Sequence, residues 1–137
     1  MQRLARFVAA VLILTGGAIH LQLWRGGYRG IPRIGPWFMA NVLISGLLAG
    51  LLVVRNDARV ALAGIVFSLA SLGALVMSRT IGIFGFTETA WTGSVLRATG
   101  AEVGAVVFLI VILALRRSQR IPVPAPATPS GWRSGSD

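Results

Sequence analysis

The sequence predicts an all-α fold: a bundle of four transmembrane helices in a polytopic integral membrane protein. Three observations carry this prediction. The 137-residue chain is 55% hydrophobic and only 12% charged, whereas soluble domains carry about a quarter charged residues. Its mean hydropathy is +0.77. Its apolar residues also fall into four stretches, each close to the ~20 residues that cross a bilayer core as helix. A helix satisfies its own backbone polar groups, so lipid tolerates it. At this length there is room for one domain.

The first stretch, residues 7–24, follows Arg3 and Arg6 and holds no Arg, Asp or Glu. Secretory signals begin in the same way, but the run closes on Gly16-Gly17-Ala18-Ile19-His20 with no small-residue cleavage site. It reads as an uncleaved first span. Residues 36–54 and 60–78 form the second and third spans, joined by Arg55-Asn56-Asp57-Ala58-Arg59. That polar turn is short enough to force a helical hairpin. The fourth span, residues 98–115, holds Glu102 as its one charge. A transmembrane domain therefore occupies residues 1–118. Residues 119–137 carry four prolines among Ser, Gly and Ala and read as a disordered cytoplasmic tail. Pro126-Ala127-Thr128-Pro129 has the P-x-x-P spacing of a docking peptide.

Net charge is +9, and every basic residue is arginine. A basic chain suggests nucleic acid, but these arginines flank the apolar runs as membrane anchors do, without forming one patch. Nucleic acid is therefore not an expected partner. The chain has no cysteine, which excludes disulfides, thiolate metal sites and c-type haem attachment. With four spans both termini share a side. That side carries seven flanking arginines (Arg3, Arg6, Arg55, Arg59, Arg116, Arg117, Arg120) and the distant Arg133, against five (Arg25, Arg29, Arg33, Arg79, Arg97) on the other. The bias places both termini in the cytoplasm.

Small residues mark seams. Gly46 and Gly50 form one GxxxG, Gly100 and Gly104 another, and Gly64, Ser68 and Ser71 share a helical face. They read as close packing within one chain, ahead of a homodimer seam. The connection from Arg79 to Arg97 holds Ile81, Ile83, Phe84, Phe86 and Trp91. It is too apolar for water and is expected on the membrane interface or folded back over the bundle. Thr87 is placed to cap a short helix starting at Glu88.

The junction from Gly16 to Phe38 gathers the only His, the only Tyr and two of the four Trp residues. His20, Asn41, Glu88 and Glu102 are expected at similar depth on its side, as a polar cluster. Burying a charge there costs a few kcal/mol unless it is paired or hydrated. Glu102 is thus expected to be protonated or paired, with His20, Arg79 and Arg97 as candidate partners. Arg25, Arg29 and Arg33 are candidate contacts for lipid headgroups, an anion or Glu88. The cluster reads as a buried structural hydrogen-bond set or as an outward-opening pocket for protons or a small ligand. No H-x₃-H, H-E-x-x-H or D-x-D spacing supports a metal site, and a lone His cannot ligate haem on both faces. No G-x-S-x-G, P-loop or G-x-G-x-x-G is present either. No catalytic residue and no cofactor is expected.

Taken together, HLQLW (20–24), GYRGIPRIGPWF (27–38), GIFGFTE (82–88) and Ala101-Glu102 resemble a family of small, uncharacterised four-span integral membrane proteins of the bacterial inner membrane. The resemblance implies the fold and the membrane, and no reaction. The expected function is a non-enzymatic structural or accessory membrane component. Its expected partners are the lipid bilayer and a second copy or a partner membrane protein. The alternative is a small carrier or sensor with a pocket lined by His20, Asn41, Glu88 and Glu102. A second alternative, a quinone- or haem-associated subunit, rests on Trp24, Tyr28 and Trp37, residue types that commonly anchor helices at the interface.

Overall fold

The computed structural model describes residues 1–87 and 89–118. It is all-helical: α1 (Gln2–Arg25), α2 (Ile34–Val54), α3 (Ala58–Thr80) and α4 (Gly93–Ser118), each long and apolar enough to span a membrane. These are the four expected stretches, each longer than its charge-free run. The flanking residues Arg3, Arg6, Arg79 and Arg97 are helical, because arginine is a good helix former and its stem can lie along apolar surface. The expected tail, with its P-x-x-P segment, lies outside the described residues.

The helices alternate in direction. One end of the bundle, the terminal end, carries Met1, the 55–57 turn and Ser118; the other, the loop end, carries residues 26–33 and 81–92. α1 packs most extensively against α2 and α4, and α3 against α4. Contact between α2 and α3 is thin, although only residues 55–57 separate them. At the terminal end Asp57 caps α3, its carboxylate accepting the Arg59 N–H at 2.9 Å. The Arg116 guanidinium donates to the Asn56 carbonyl and fastens α4 to the same turn.

The core divides into two levels. Towards the terminal end it is apolar: Ala9, Ala10, Ala61 and Ala105 let the helices close up, while Ile13, Leu52, Leu109 and Ile112 fill the space. Towards the loop end the buried groups become polar. The outer surface is apolar at both levels, with Leu43, Leu47, Leu62, Val66, Val107 and Ile110 exposed. A soluble bundle would show a polar face there; lipid is the solvent that this surface fits.

The small residues do not all serve as seams. A Cβ on Gly17 would lie 2.7 Å from the Ser45 Cβ, and one on Gly64 would lie 2.9 Å from the Leu109 side chain. Gly104 faces Leu12, but Gly46, Gly50 and Gly100 face open space. The expectation of internal packing at the second-span GxxxG is therefore corrected. The face α2 turns inward is Ser45, Leu48, Ala49 and Leu52, all buried, and the glycines are rotated off it by one 100° step.

This difference is measurable by thermal unfolding in detergent. Gly17→Ala must push α1 from α2 and is expected to cost about 1–3 kcal/mol. Gly46→Ala meets nothing and is expected to gain up to about 1 kcal/mol through helix propensity.

Candidate functional site

The loop end is built by tight turns. After α1, Tyr28–Gly30 form a single 3-10 turn. The Ile34 N–H then donates to the Pro32 carbonyl at 2.9 Å, with Arg33 at φ 68° and ψ −41°. That is a γ-turn, a strained geometry for a residue with a side chain. Pro36 falls in the first turn of α2, where its missing N–H has no helical partner to lose. The turns thus fold back tightly onto the start of α2: a Cβ on Gly35 would sit 2.7 Å from the Arg29 carbonyl oxygen.

An aromatic cap assembles on these turns. Phe38 from α2 stacks on Tyr28 at 4.9 Å, and Phe86 meets Tyr28 edge-on at 5.7 Å. His20 from α1 lies tilted against Phe38 at 5.1 Å. Phe86 belongs to a turn closed by two 2.8 Å hydrogen bonds between Ile83 and Phe86, with Phe84 at φ 52° and Gly85 at φ 80°. Two successive positive φ angles define a mirror-image turn that favours glycine at Gly85. The apolar loop therefore brings Phe86 onto Tyr28, while Ile81, Phe84 and Trp91 stay exposed. Gly93 begins α4, and Thr87 is not helical, so no short helix is capped there. Glu88 lies outside the described residues. The cap is edged by Arg33, whose guanidinium lies 5.6 Å from the Phe84 ring centre, and by Arg79, 4.2 Å from that of Trp91.

Beneath the cap lies the polar level of the core. Ser45 donates to Asn41 Oδ1 at 3.3 Å, and Asn41 Nδ2 donates to Ser71 Oγ at 2.9 Å. The hydroxyls of Ser71 and Ser68 face the Glu102 carboxyl. Glu102 is only 5% exposed, and Ser45 and Ser68 are fully buried. Gly16 makes room for the carboxyl: a Cβ there would lie 3.1 Å from Glu102 Oε1. All four helices contribute. Because Asn41 gives an N–H to Ser71, the Ser71 hydroxyl hydrogen is free to point at Glu102, so the chain of donors runs from Ser45 towards the carboxyl. Glu102 Oε2 and Ser68 Oγ are both buried without a well-formed hydrogen bond.

The structure brings Glu102 and Asn41 together through Ser71. His20 lies one turn nearer the loop end than Gly16, and its Nδ1 bonds the Gly16 carbonyl at 2.9 Å; it borders the cluster and joins the cap. Similar depth for all the candidates is corrected, because α4 starts at Gly93 and puts Glu102 nine residues in, about 13 Å along the axis. The candidate charge partners turn elsewhere. Arg79 donates to the Ala90 carbonyl at 2.8 Å, and Arg97 to the Gly93 carbonyl and Ser94 hydroxyl of its own helix. Sequence reasoning missed the hydroxyls that face Glu102. Ser68 and Ser71 stand out in the sequence as small residues, although hydroxyls repeating on one face of an apolar span are also a polar stripe.

Arg25, Arg29 and Arg33 are exposed at the loop end. Two open surface hollows lie elsewhere, one between α1 and α2 beside Phe7, Val11, Gly46 and Gly50, the other at Arg3, Arg6 and Val53. Neither is lined by a residue of the polar cluster. Among the described residues no three His, Cys, Asp or Glu side chains gather as a metal site would need. No family model, curated protein or solved structure matches the chain, so the functional reading rests on this geometry.

Asn41 and Ser71 form a polar tie across the thin α2–α3 interface. A double-mutant cycle with Asn41→Ala and Ser71→Ala, read by unfolding in detergent, is expected to give a coupling of about 0.6 kcal/mol and at most ~1.7 kcal/mol. At the γ-turn, Arg33→Gly is expected to fold at least as stably as the parent. Arg33→Val is expected to lose about 1–3 kcal/mol, since a β-branched residue fits positive φ poorly.

Proposed function

We propose that this chain is a multi-pass protein of a bacterial inner membrane, with both termini in the cytoplasm, serving as a non-enzymatic structural or accessory component. The observation that carries this reading is where the polar side chains go. Inside, they bond one another across helices that pack thinly on their own. Outside, exposed arginines gather at the loop end, Arg33 among them over the Phe84 ring. A bundle of this kind holds its shape and presents a surface. Arginine at such a rim suits lipid phosphate or an acidic partner, because its planar donors engage both oxygens of an anion. The arginine bias towards the terminal end supports the orientation.

One observation favours the carrier or sensor reading beside it. Glu102 Oε2 and Ser68 Oγ are buried and unpartnered, which a purely structural hydrogen-bond set would avoid.

The test places a photo-crosslinking residue at Trp37, which is 64% exposed, in native membranes. A discrete protein adduct is expected, and replacing Arg25, Arg29 and Arg33 by Gln is expected to remove it. Lipid adducts alone would overturn the accessory reading. A reporter fused after Asp137 is expected to read out in the cytoplasm, and an external readout would overturn the orientation.

A further inference from the structure

We propose that Glu102, Ser68 and Ser71 form a site for one monovalent hard cation, Na⁺ foremost, in the interior of the bundle.

The first support is an imbalance of charge. Glu102 is 5% exposed, and the three basic side chains expected as its partners make their contacts elsewhere. Arg79 is held by the Ala90 carbonyl and Trp91, Arg97 by Gly93 and Ser94, and His20 by the Gly16 carbonyl. A carboxylate in such a place needs a compensating positive charge or a ligand.

The second support is the pair of unpartnered oxygens. Glu102 Oε2 and Ser68 Oγ are both buried without a well-formed hydrogen bond, and the one group the Ser68 hydroxyl has beside it is the same carboxyl. Native proteins seldom leave two such atoms together unless something else engages them. A cation between them satisfies both at once.

The third support is the donor set. Carboxylate and hydroxyl oxygens are hard ligands that suit alkali and alkaline-earth ions, not soft metals. A single carboxylate balances a single positive charge, and the other acidic side chain among the described residues, Asp57, caps α3 at the opposite end of the bundle. A divalent ion would keep excess charge in an apolar bundle. Ser71 can also serve three roles, because a hydroxyl has one hydrogen and two lone pairs. It accepts from Asn41 at 2.9 Å, donates to the carboxylate and offers its remaining lone pair to the ion. Asn41 is then a positioning residue that orients Ser71, as outer-shell groups orient ligands elsewhere. Gly16 lets α1 close over the carboxyl, since a Cβ there would stand 3.1 Å from Oε1.

The experiment uses the full chain purified in detergent. Thermal unfolding is measured in sodium, potassium and choline chloride at equal ionic strength, and ²²Na⁺ binding by equilibrium dialysis. A saturable rise in unfolding temperature is expected in sodium, smaller in potassium and absent in choline, with one ion bound per chain. Ser68→Ala is expected to weaken Na⁺ about tenfold, the scale of one lost polar partner in a buried site. Glu102→Gln is expected to abolish binding, while Gly46→Ala leaves it unchanged. Identical behaviour in the three salts overturns the proposal, as does Na⁺ binding that persists in Glu102→Gln. Stability that follows pH but ignores Na⁺ also overturns it and makes the occupant a proton. If Glu102→Gln does not fold, wild type and Ser68→Ala decide the matter: undiminished affinity in Ser68→Ala counts against the site.

Discussion

Gly16 and Gly17 are adjacent on α1, so their Cα–H faces point about 100° apart around the helix. Gly16 accommodates the Glu102 carboxyl from α4, and Gly17 accommodates Ser45 from α2. One position without a side chain would admit one neighbour; two in succession admit two. This is why α1 lies close to both α2 and α4, and why a carboxyl can be buried at their meeting point. The polar level of the core depends on that double approach. A side chain at Gly17 would push α2 away from α1, and one at Gly16 would press on the Glu102 carboxyl itself.

The directions of the hydrogen bonds then do what packing does not. α2 is held mainly by α1, and α3 mainly by α4, so the two pairs share little apolar contact across the α2–α3 face. Asn41 bridges that face, accepting from Ser45 on its own helix and donating to Ser71 on the next. In lipid an unpaired amide has no water to turn to, so the bond is hard to exchange for another. Leucines on this face would pack equally well against lipid or against each other and would specify neither arrangement. Polar groups inside and apolar groups outside thus choose one pairing of helices.

What was legible in the sequence follows the same division. Apolar length is a one-dimensional property, so the four spans can be read from it, and the helices overrun them at their ends, in three of the four through flanking arginines. Glu102 is legible as an anomaly because it is the one charge in its span. Its partners are not. A search for opposite charge finds Arg79 and Arg97, yet both lie near helix ends, where the guanidinium can reach carbonyls and Trp91 close to the surface. Glu102 lies deeper, and the groups that face it are hydroxyls, which a small-residue reading counts as spacers. The GxxxG at Gly46 fails for a related reason: spacing shows that two glycines share a face, but not which way that face points. The capping pattern at Thr87 misleads because the nearby Gly82 and Gly85 favour positive φ, and the chain turns there before any helix can start.

His20 is the contact between the two levels at the loop end. Its ring packs against Phe38, which stacks on Tyr28, which in turn meets Phe86 from the distant loop. Its Nδ1 bonds the carbonyl of Gly16, the same residue whose Cα lies against Glu102. The aromatic cap and the buried carboxyl therefore meet α1 within a single turn of each other. The strained backbone at Arg33 and Phe84 sits within this cap, and strain of that kind persists only where the surroundings enforce it. Beside them lie the ring stack and, over Phe84 and Trp91, the Arg33 and Arg79 guanidinium groups. The junction between α1 and α2 thus holds an exposed arginine rim above an aromatic cap, and His20 ties that cap to the turn of α1 that borders the Glu102 carboxyl.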